Sequence, residues 1–137
     1  MPESARIRGE AHEHAPLTFA IIGCAIAVHK EVGPGLKESV YENCLRREFA
    51  KNSISYARQP LIAVTYDGHS VGSFRPDFIV GKAVVVELKA ASAISPIHVS
   101  QVLSYMRASK LELGLIINFN VEILIRGVKR LILTKSE

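Results

Sequence analysis

The chain has 137 residues, 48% of them hydrophobic and 22% charged, and a formal net charge of +4. This length fits one compact domain, and the composition is that of a globular protein with a real core, which argues against disordered and fibrous classes. The positive charge is compatible with a polyanionic partner but does not specify one, because many proteins that bind no nucleic acid are equally basic.

The first 16 residues are predicted to form a loosely ordered leader, and residues 17–137 a single domain. The leader lacks apolar periodicity and is rich in charge and histidine. His12 and His14 could contact a metal, but a histidine pair in a flexible tail is more often solvated. The glutamates of the leader also differ from the basic start that a signal peptide needs.

Two helices are predicted after the leader. In the first, Thr18 to Val32, apolar positions recur at helical spacing, and Thr18 is the expected cap. Its longest apolar run, Phe19 to Val28, is about half of what a bilayer span needs, so we expect no transmembrane helix. Gly33-Pro34-Gly35 breaks this helix, because proline removes a donor and glycine favours turns. The second helix runs from about Leu36 to Asn52.

The two cysteines, Cys24 and Cys44, both lie in these helical patterns and do not have metal-ligand spacing. We therefore interpret them as reduced and mostly buried thiols. Together with the missing secretion and membrane signals, this interpretation favours a cytoplasmic protein.

After Asn52 the pattern becomes strand-like. Three consecutive antiparallel strands are predicted: Leu61 to Tyr66, Val71 to Val80 and Ala83 to Ala90. Asp67-Gly68, between the first two, is a strong hairpin signal.

A third helix is predicted from Ser95-Pro96, where serine caps and proline occupies the first turn, to about Ser109. Leu113 to Phe119 is a short continuous apolar run, typical of a strand buried on both faces. A final strand, Val128 to Leu133, closes the domain. The order of elements predicts an α/β fold with a mixed sheet, in which the crossover through the third helix sets Leu113 to Phe119 parallel to an earlier strand.

Three charges interrupt the apolar strands around residue 80. Glu87 and Lys89 are two residues apart, so they project from one face of their strand. Asp77 joins them only if the turn after Val80 is irregular. A two-residue loop, Gly81-Lys82, would put Asp77 on the opposite face, whereas a three-residue loop or a bulge pairs it with Glu87. We predict one of these irregularities.

Two opposed carboxylates repel each other, and their burial is costly unless a positive charge lies between them. Oxygen ligands such as Asp77, Glu87 and the carbonyl of Leu88 suit magnesium or manganese, and Lys89 could hold or deprotonate a water molecule. This arrangement indicates metal-assisted phosphodiester hydrolysis. In the alternative interpretation Glu87 and Lys89 form an exposed ion pair and Asp77 caps a strand; these residues alone leave the two about equal.

The helices add further polar residues. Glu38 and Tyr41 lie one turn apart at the start of the second helix, and His98, Gln101 and Tyr105 form a polar stripe on the third. The simpler interpretation is that the tyrosines are half-buried aromatics and that Glu38 is an acidic residue placed favourably in a first turn.

Five segments in this order, GLKESVY, RPDFIV, VVVELKA, Gln101-x-x-x-Tyr105 and LGLIINFNV, resemble the GxxExxY family of the PD-(D/E)XK nuclease superfamily. The similarity covers roughly residues 17 to 133. It implies a restriction-endonuclease-like αβββαβ core, with a central mixed sheet flanked by helices, and a magnesium site at the sheet edge. His98 has no role in the family pattern.

The resemblance also implies a role for each matching residue. Asp77 and Glu87 become metal ligands and Lys89 the catalytic lysine. Glu38 is the acidic residue that the first core helix supplies to the site, and a further candidate ligand. Gln101 and Tyr105 match a QxxxY element that supports the active site and the substrate.

The leading hypothesis is therefore a Mg²⁺-dependent nuclease acting on DNA, with Mn²⁺ able to substitute. The alternative is a nucleic-acid-binding module of the same fold without chemistry, and hydrolysis of a smaller phosphate ester is a third option. Apolar surface on the first helix and the terminal strand is compatible with a homodimer. The binding module would contact phosphates through five basic residues: Arg46, Arg47, Lys51, Lys129 and Arg130.

Overall fold

The structure is a computed structural model that describes residues 15–134. Three α-helices, a 3₁₀-helix and seven strands are present in this part of the chain. In chain order they are α1 (Ala15–Val32), α2 (Glu38–Lys51), β1 (Tyr56–Arg58), β2 (Ile62–Tyr66), β3 (His69–Phe74), β4 (Phe78–Val80), β5 (Val84–Lys89), α3 (Pro96–Ser109), β6 (Leu113–Asn118), the 3₁₀-helix (Leu124–Gly127) and β7 (Val128–Ile132).

The central sheet has five strands in the order β1-β4-β5-β6-β7. All neighbours are antiparallel except β5 and β6, which are parallel and joined by the crossover through α3. Every residue of β6 is buried, as predicted for a strand covered on both faces. The predicted mixed sheet flanked by helices is confirmed, and the architecture is consistent with a restriction-endonuclease-like fold.

The prediction of three consecutive strands in one sheet is wrong in two respects. The segment Val71 to Val80 is interrupted between Phe74 and Phe78, where Pro76 has no N–H to donate to a ladder. β2 and β3 therefore pair only with each other, as a separate two-stranded sheet. The third antiparallel strand is β1, which has no counterpart among the predicted strands because it is three residues long and mostly exposed.

The turn between β4 and β5 is irregular, as predicted. The register of the two strands leaves three residues, Gly81–Ala83, in the loop. The first two have φ angles of 59° and 58°, the positive values that the central residues of a type I′ turn require. Continued by one position, this register sets Asp77 opposite Glu87, on the same face of the sheet.

The two faces of β5 pack against different helices. Val86 and Leu88 belong to the larger core cluster, which includes residues of α1 and α2. Val85 belongs to a second cluster that includes Val102 and Met106 of α3. Since side chains alternate along a strand, Glu87 shares the face of Val85, the one covered by α3.

Helix α1 differs from its prediction at its start. Ala15 and Pro16 are helical, so the predicted leader is too long by these two residues, and Thr18 is a buried residue inside the helix rather than its cap. His12 and His14 lie outside the described residues. Helix α2 begins at Glu38, two residues later than predicted. Ser95 precedes the first residue of α3, as predicted.

By length and composition α1 could cross a membrane, since its 18 residues have a mean hydropathy of 1.4. The core helix of a globular protein passes the same test, and α1 places Ile21, Ala25 and Val28 in the core. Both cysteines are free thiols, with Cys24 buried and Cys44 partly buried, which agrees with their interpretation from the sequence.

Candidate active site

The side chains of Asp77 and Glu87 each accept a hydrogen bond from the backbone of the neighbouring segment. The Asp77 N–H donates to Glu87 Oε1 at 2.6 Å, and the Leu88 N–H donates to Asp77 Oδ2 at 2.8 Å. Glu87 is only 7% exposed, and Asp77 is half-buried. One oxygen of each carboxylate is therefore fixed by a backbone N–H, at the end of the sheet where β4 begins and β5 ends.

Negative charge is in excess around Asp77 and Glu87. Burial and, after it, the charge of Asp77 raise the pKa of Glu87 to about 7, against the weaker lowering effects of the Asp77 N–H and of Lys89. Burial also raises the pKa of Asp77, with smaller upward contributions from Glu42 and Glu38. Desolvation and like charge thus both disfavour the two ionised carboxylates, and a bound cation would reverse both effects.

The donor chemistry fits a hard divalent cation, because the available donors are oxygens. No group of three His, Cys, Asp or Glu side chains within residues 15–134 is arranged to hold a metal ion. Glu38 makes no hydrogen bond to the pair: it is exposed, and its Oε2 accepts the Ala90 N–H at 3.3 Å, just beyond the end of β5. Its charge nevertheless raises the pKa values of both Asp77 and Glu87. The structure thus supplies two closely placed carboxylates, with the Leu88 peptide beside them and a third carboxylate nearby.

The loop before α2 determines where Glu38 lies. Gly33 and Gly35 have φ angles of 71° and 96°, which favour glycine. The Tyr41 hydroxyl donates to the Gly33 carbonyl at 2.7 Å and accepts the Leu36 N–H at 3.1 Å. Tyr41 is fully buried, so its role is structural, and its two hydrogen bonds fix the start of the helix that carries Glu38.

Among the three polar residues predicted to form a stripe on α3, Tyr105 is the one whose pKa is affected by the charges of the carboxylate pair. Its pKa is raised, first by burial and then by the charges of Glu87 and Asp77. Its ring stacks on Phe74 at 4.1 Å, with an angle of 4° between the planes. Gln101, one turn earlier, is exposed and makes no side-chain hydrogen bond among the described residues.

His98 has a structural role at the start of α3. Its Nδ1 accepts the Ser95 N–H at 3.1 Å, which satisfies a backbone donor before the helix. Of the polar stripe predicted on α3, only Tyr105 is therefore tied to the carboxylate pair by its electrostatics, Gln101 faces solvent, and His98 caps the helix.

Asn118 is an additional residue that supports the site. It is 2% exposed, and its Nδ2 donates to the Ala91 carbonyl at 2.9 Å while its Oδ1 accepts the N–H groups of Ala91 and Asn120, each at 3.1 Å. In the parallel register it lies opposite Lys89. Asn118 therefore fixes the chain just after the lysine. The signal in the sequence was the polar residue that ends an otherwise apolar strand.

Replacing Asn118 by alanine is expected to destabilise the protein by about 1–3 kcal/mol, because it leaves the partly buried backbone N–H and carbonyl of Ala91 without their side-chain partner. Urea denaturation measures this loss. Asn120→Ala is the matched control, since Asn120 is exposed and its side chain makes one long contact of 3.5 Å. Equal losses in the two variants would contradict the role given to Asn118.

A second supporting network involves Glu42, which is 8% exposed. Its carboxylate accepts the Arg58 Nε–H at 2.5 Å and the Gln59 side-chain amide at 3.4 Å. The Gln59 N–H in turn donates to the Asp77 carbonyl at 2.9 Å. This network connects α2 to the backbone of Asp77. It was not evident from the sequence, because it depends on β1.

Comparison with known families decides the classification. A family model of the PD-(D/E)XK nuclease superfamily matches residues 15–131, which is most of the chain. The chain belongs to the PD-(D/E)XK nuclease superfamily. Searches of curated proteins and of solved structures found no match.

Superfamily membership suggests a metal-dependent nuclease. PD-(D/E)XK nucleases generally use divalent metals and act on nucleic acid, which agrees with two opposed carboxylates followed by a lysine. The assignment of individual catalytic and metal-binding residues stays a prediction.

Proposed function

We propose that the protein is a Mg²⁺-dependent nuclease of the GxxExxY family that hydrolyses phosphodiester bonds in DNA in the cytoplasm, with Mn²⁺ able to replace Mg²⁺. The supporting observation is the closely placed pair of half-buried Asp77 and buried Glu87, whose pKa values are both raised, beside Lys89 in a PD-(D/E)XK chain. A chain would not keep two repelling carboxylates in this position for stability alone, because their repulsion weakens the fold.

In this proposal Asp77 and Glu87 would hold the ion, together with the Leu88 carbonyl and Glu38. When bound, the ion supplies charge neutralisation at the attacked phosphate and lowers the pKa of water. Lys89 projects from the same strand face as Glu87 and orients the attacking water or accepts its proton at Nζ. Gln101 and Tyr105 face the substrate from α3.

The activity test is incubation with single-stranded, duplex, nicked and branched DNA, and with RNA, in Mg²⁺, Mn²⁺ or EDTA. Cleavage of DNA that needs the ion is expected. Absence of cleavage on every DNA substrate, or equal cleavage in EDTA, would overturn the proposal.

Lys89→Ala is expected to lower the rate of cleavage by about 10²–10⁴-fold, the usual contribution of a positioned proton-transfer group. Single-turnover rates measure the effect. Lys82→Ala is the matched control, because Lys82 is an exposed residue in the turn at the other end of β5. A Lys89→Ala protein with a normal rate would remove lysine from the mechanism.

One observation favours the binding module as a second candidate: residues 15–134 contain no ready three-residue metal cluster. A binding module predicts salt-sensitive DNA binding without uptake of Mn²⁺ in calorimetry. The nuclease predicts both binding and uptake.

We also propose a homodimer through the adjoining surfaces of α1 and β7. Phe19 is 67% exposed, and the guanidinium of Arg130 lies 5.9 Å from the centre of its ring. Sedimentation of the wild type and of Phe19→Ser tests this, with a dimer expected only for the wild type. A monomeric wild type would contradict it.

A further inference from the structure

The arginines are unevenly distributed over the fold. Of the seven in the described segment, four lie on α2, on β1 or just before β4: Arg46, Arg47, Arg58 and Arg75. Strand β1 is an edge of the central sheet, so these residues follow one border of the molecule. None of them contacts Asp77 or Glu87, although Arg58 belongs to the Glu42 network that supports the site.

Two of the four line a shallow cavity of about 440 Å³ between α2 and β1. No carboxylate lines this cavity, whose walls consist of Asn43, Arg46, Arg47, Ala50, Lys51 and Tyr56. Lys51 forms an ion pair with Glu48 at 3.2 Å, whereas Arg46 and Arg47 form none within residues 15–134. The cavity therefore presents two guanidinium groups without a direct ion pair to any described residue, although Arg47 also borders a neighbouring cavity that Glu31 and Glu48 line. Guanidinium groups are the side chains best suited to bidentate contact with phosphate.

The Arg46 side chain has a long hydrogen bond to an aromatic residue packed against the core. Its Nε donates to the Tyr56 hydroxyl at 3.4 Å. The Tyr56 ring packs between Phe49 and Phe78, each with its centre 5.4 Å away. Because the aromatic cluster fixes the tyrosine, Arg46 loses less conformational freedom when it binds an anion.

The remaining two arginines connect the cavity with the active site. Arg58 lies two residues after Tyr56 on the same strand, and its side chain is 45% exposed although its Nε forms an ion pair with Glu42. Arg75 is exposed, and its Nη1 donates to the carbonyl of Gln59, the residue bonded to Asp77. From Tyr56 to Gln59 is three residues, or about 10 Å along a strand. Arg46, Arg58 and Arg75 thus follow β1 in this order towards the backbone of Asp77, with Arg47 next to Arg46 on α2.

We propose that this row, the arginine track (Arg46, Arg47, Arg58 and Arg75), binds successive backbone phosphates of one nucleic-acid strand outside the bond that is cleaved. The proposal rests on the proposed nuclease function and adds the path of the substrate to it. A row along a single sheet edge can follow one backbone, so a single-stranded segment is the expected ligand. The contacts are to phosphate and therefore carry no base preference.

The test measures binding without cleavage, by fluorescence anisotropy of a labelled 20-nucleotide single strand in EDTA over a series of salt concentrations. For the double variant Arg46→Gln/Arg47→Gln, the Kd is expected to rise about tenfold, and the salt slope to fall by about 1.4, or 0.7 for each lost phosphate contact. Arg107→Gln/Lys110→Gln is the matched control, because both residues are exposed at the C-terminal end of α3 and lie outside the track. It removes the same charge and should leave the slope unchanged.

Arg46→Lys provides a second variant that keeps the charge. It should retain the salt slope while binding more weakly, since lysine lacks the planar fork.

Equal changes in both double variants, or an unchanged slope for Arg46→Gln/Arg47→Gln, would overturn the track. An equal loss on blunt duplex DNA would overturn the single-strand assignment. If the strand binds through the track but no DNA is cleaved in Mg²⁺, the track stands and the nuclease proposal fails. If DNA is cleaved in Mg²⁺ but Arg46→Gln/Arg47→Gln leaves the salt slope unchanged, the nuclease proposal stands and the track fails.

Discussion

Glu87→Gln is expected to slow cleavage strongly and at the same time to make the metal-free protein more stable. Glutamine keeps the side-chain oxygen that accepts the Asp77 N–H, so the strand pairing survives. It removes the negative charge that would hold the ion, and a loss of about 10²–10³-fold in rate is expected, as for removal of a preorganised electrostatic group. Single-turnover cleavage and urea denaturation in EDTA measure the two effects.

Glu122→Gln is the control for this substitution, because Glu122 is an exposed glutamate in the loop after β6. It should change neither the rate nor the stability at pH 8. A Glu87→Gln protein that cleaves at the normal rate would contradict the assignment of Glu87. One that is less stable than the wild type at pH 8 would contradict the electrostatic account of the pair.

The stability of the metal-free protein is expected to fall as the pH rises from 5 to 8. The pKa of Glu87 is raised from 4.5 to about 7 in the folded protein, so the folded state binds its proton more tightly than the unfolded state does. The resulting stabilisation is complete below the unfolded pKa and is lost as the pH passes through the folded one. The shift corresponds to a loss of about 3 kcal/mol at most.

Urea denaturation in EDTA across this pH range, with Glu87→Gln measured in parallel, isolates the contribution of Glu87. Glutamine does not titrate, so the difference in free energy of unfolding between the two proteins should grow with pH. A difference that stays constant from pH 5 to pH 8 would show that Glu87 titrates normally in the folded state.

The position of the carboxylate pair could be predicted from the sequence because it depends on local rules. Alternation fixes the face of Glu87, and the length of the loop after Val80 decides the face of Asp77. Tyr41 shows the limit of such reasoning. Its spacing from Glu38 is visible in the sequence, but its role in holding the Gly33 carbonyl depends on the shape of the preceding loop.

The features that could not be predicted depend on contacts distant in sequence. Strand β1 is too short and too exposed to show a periodic pattern, and it forms only because β4 offers it a partner. The network of Glu42, Arg58 and Gln59 and the arginine track both require that strand. Asn118 likewise acquires its role from Ala91, 27 residues earlier in the chain.

The most direct test of the shared metal site is the free energy of unfolding at pH 8 with and without Mn²⁺. At an ion concentration about 100 times the Kd, the wild type should gain about 2.7 kcal/mol, because the ion binds only the folded state. Glu87→Gln should gain almost nothing. No gain in the wild type, or the same gain in both proteins, would show that Asp77 and Glu87 do not share a metal ion.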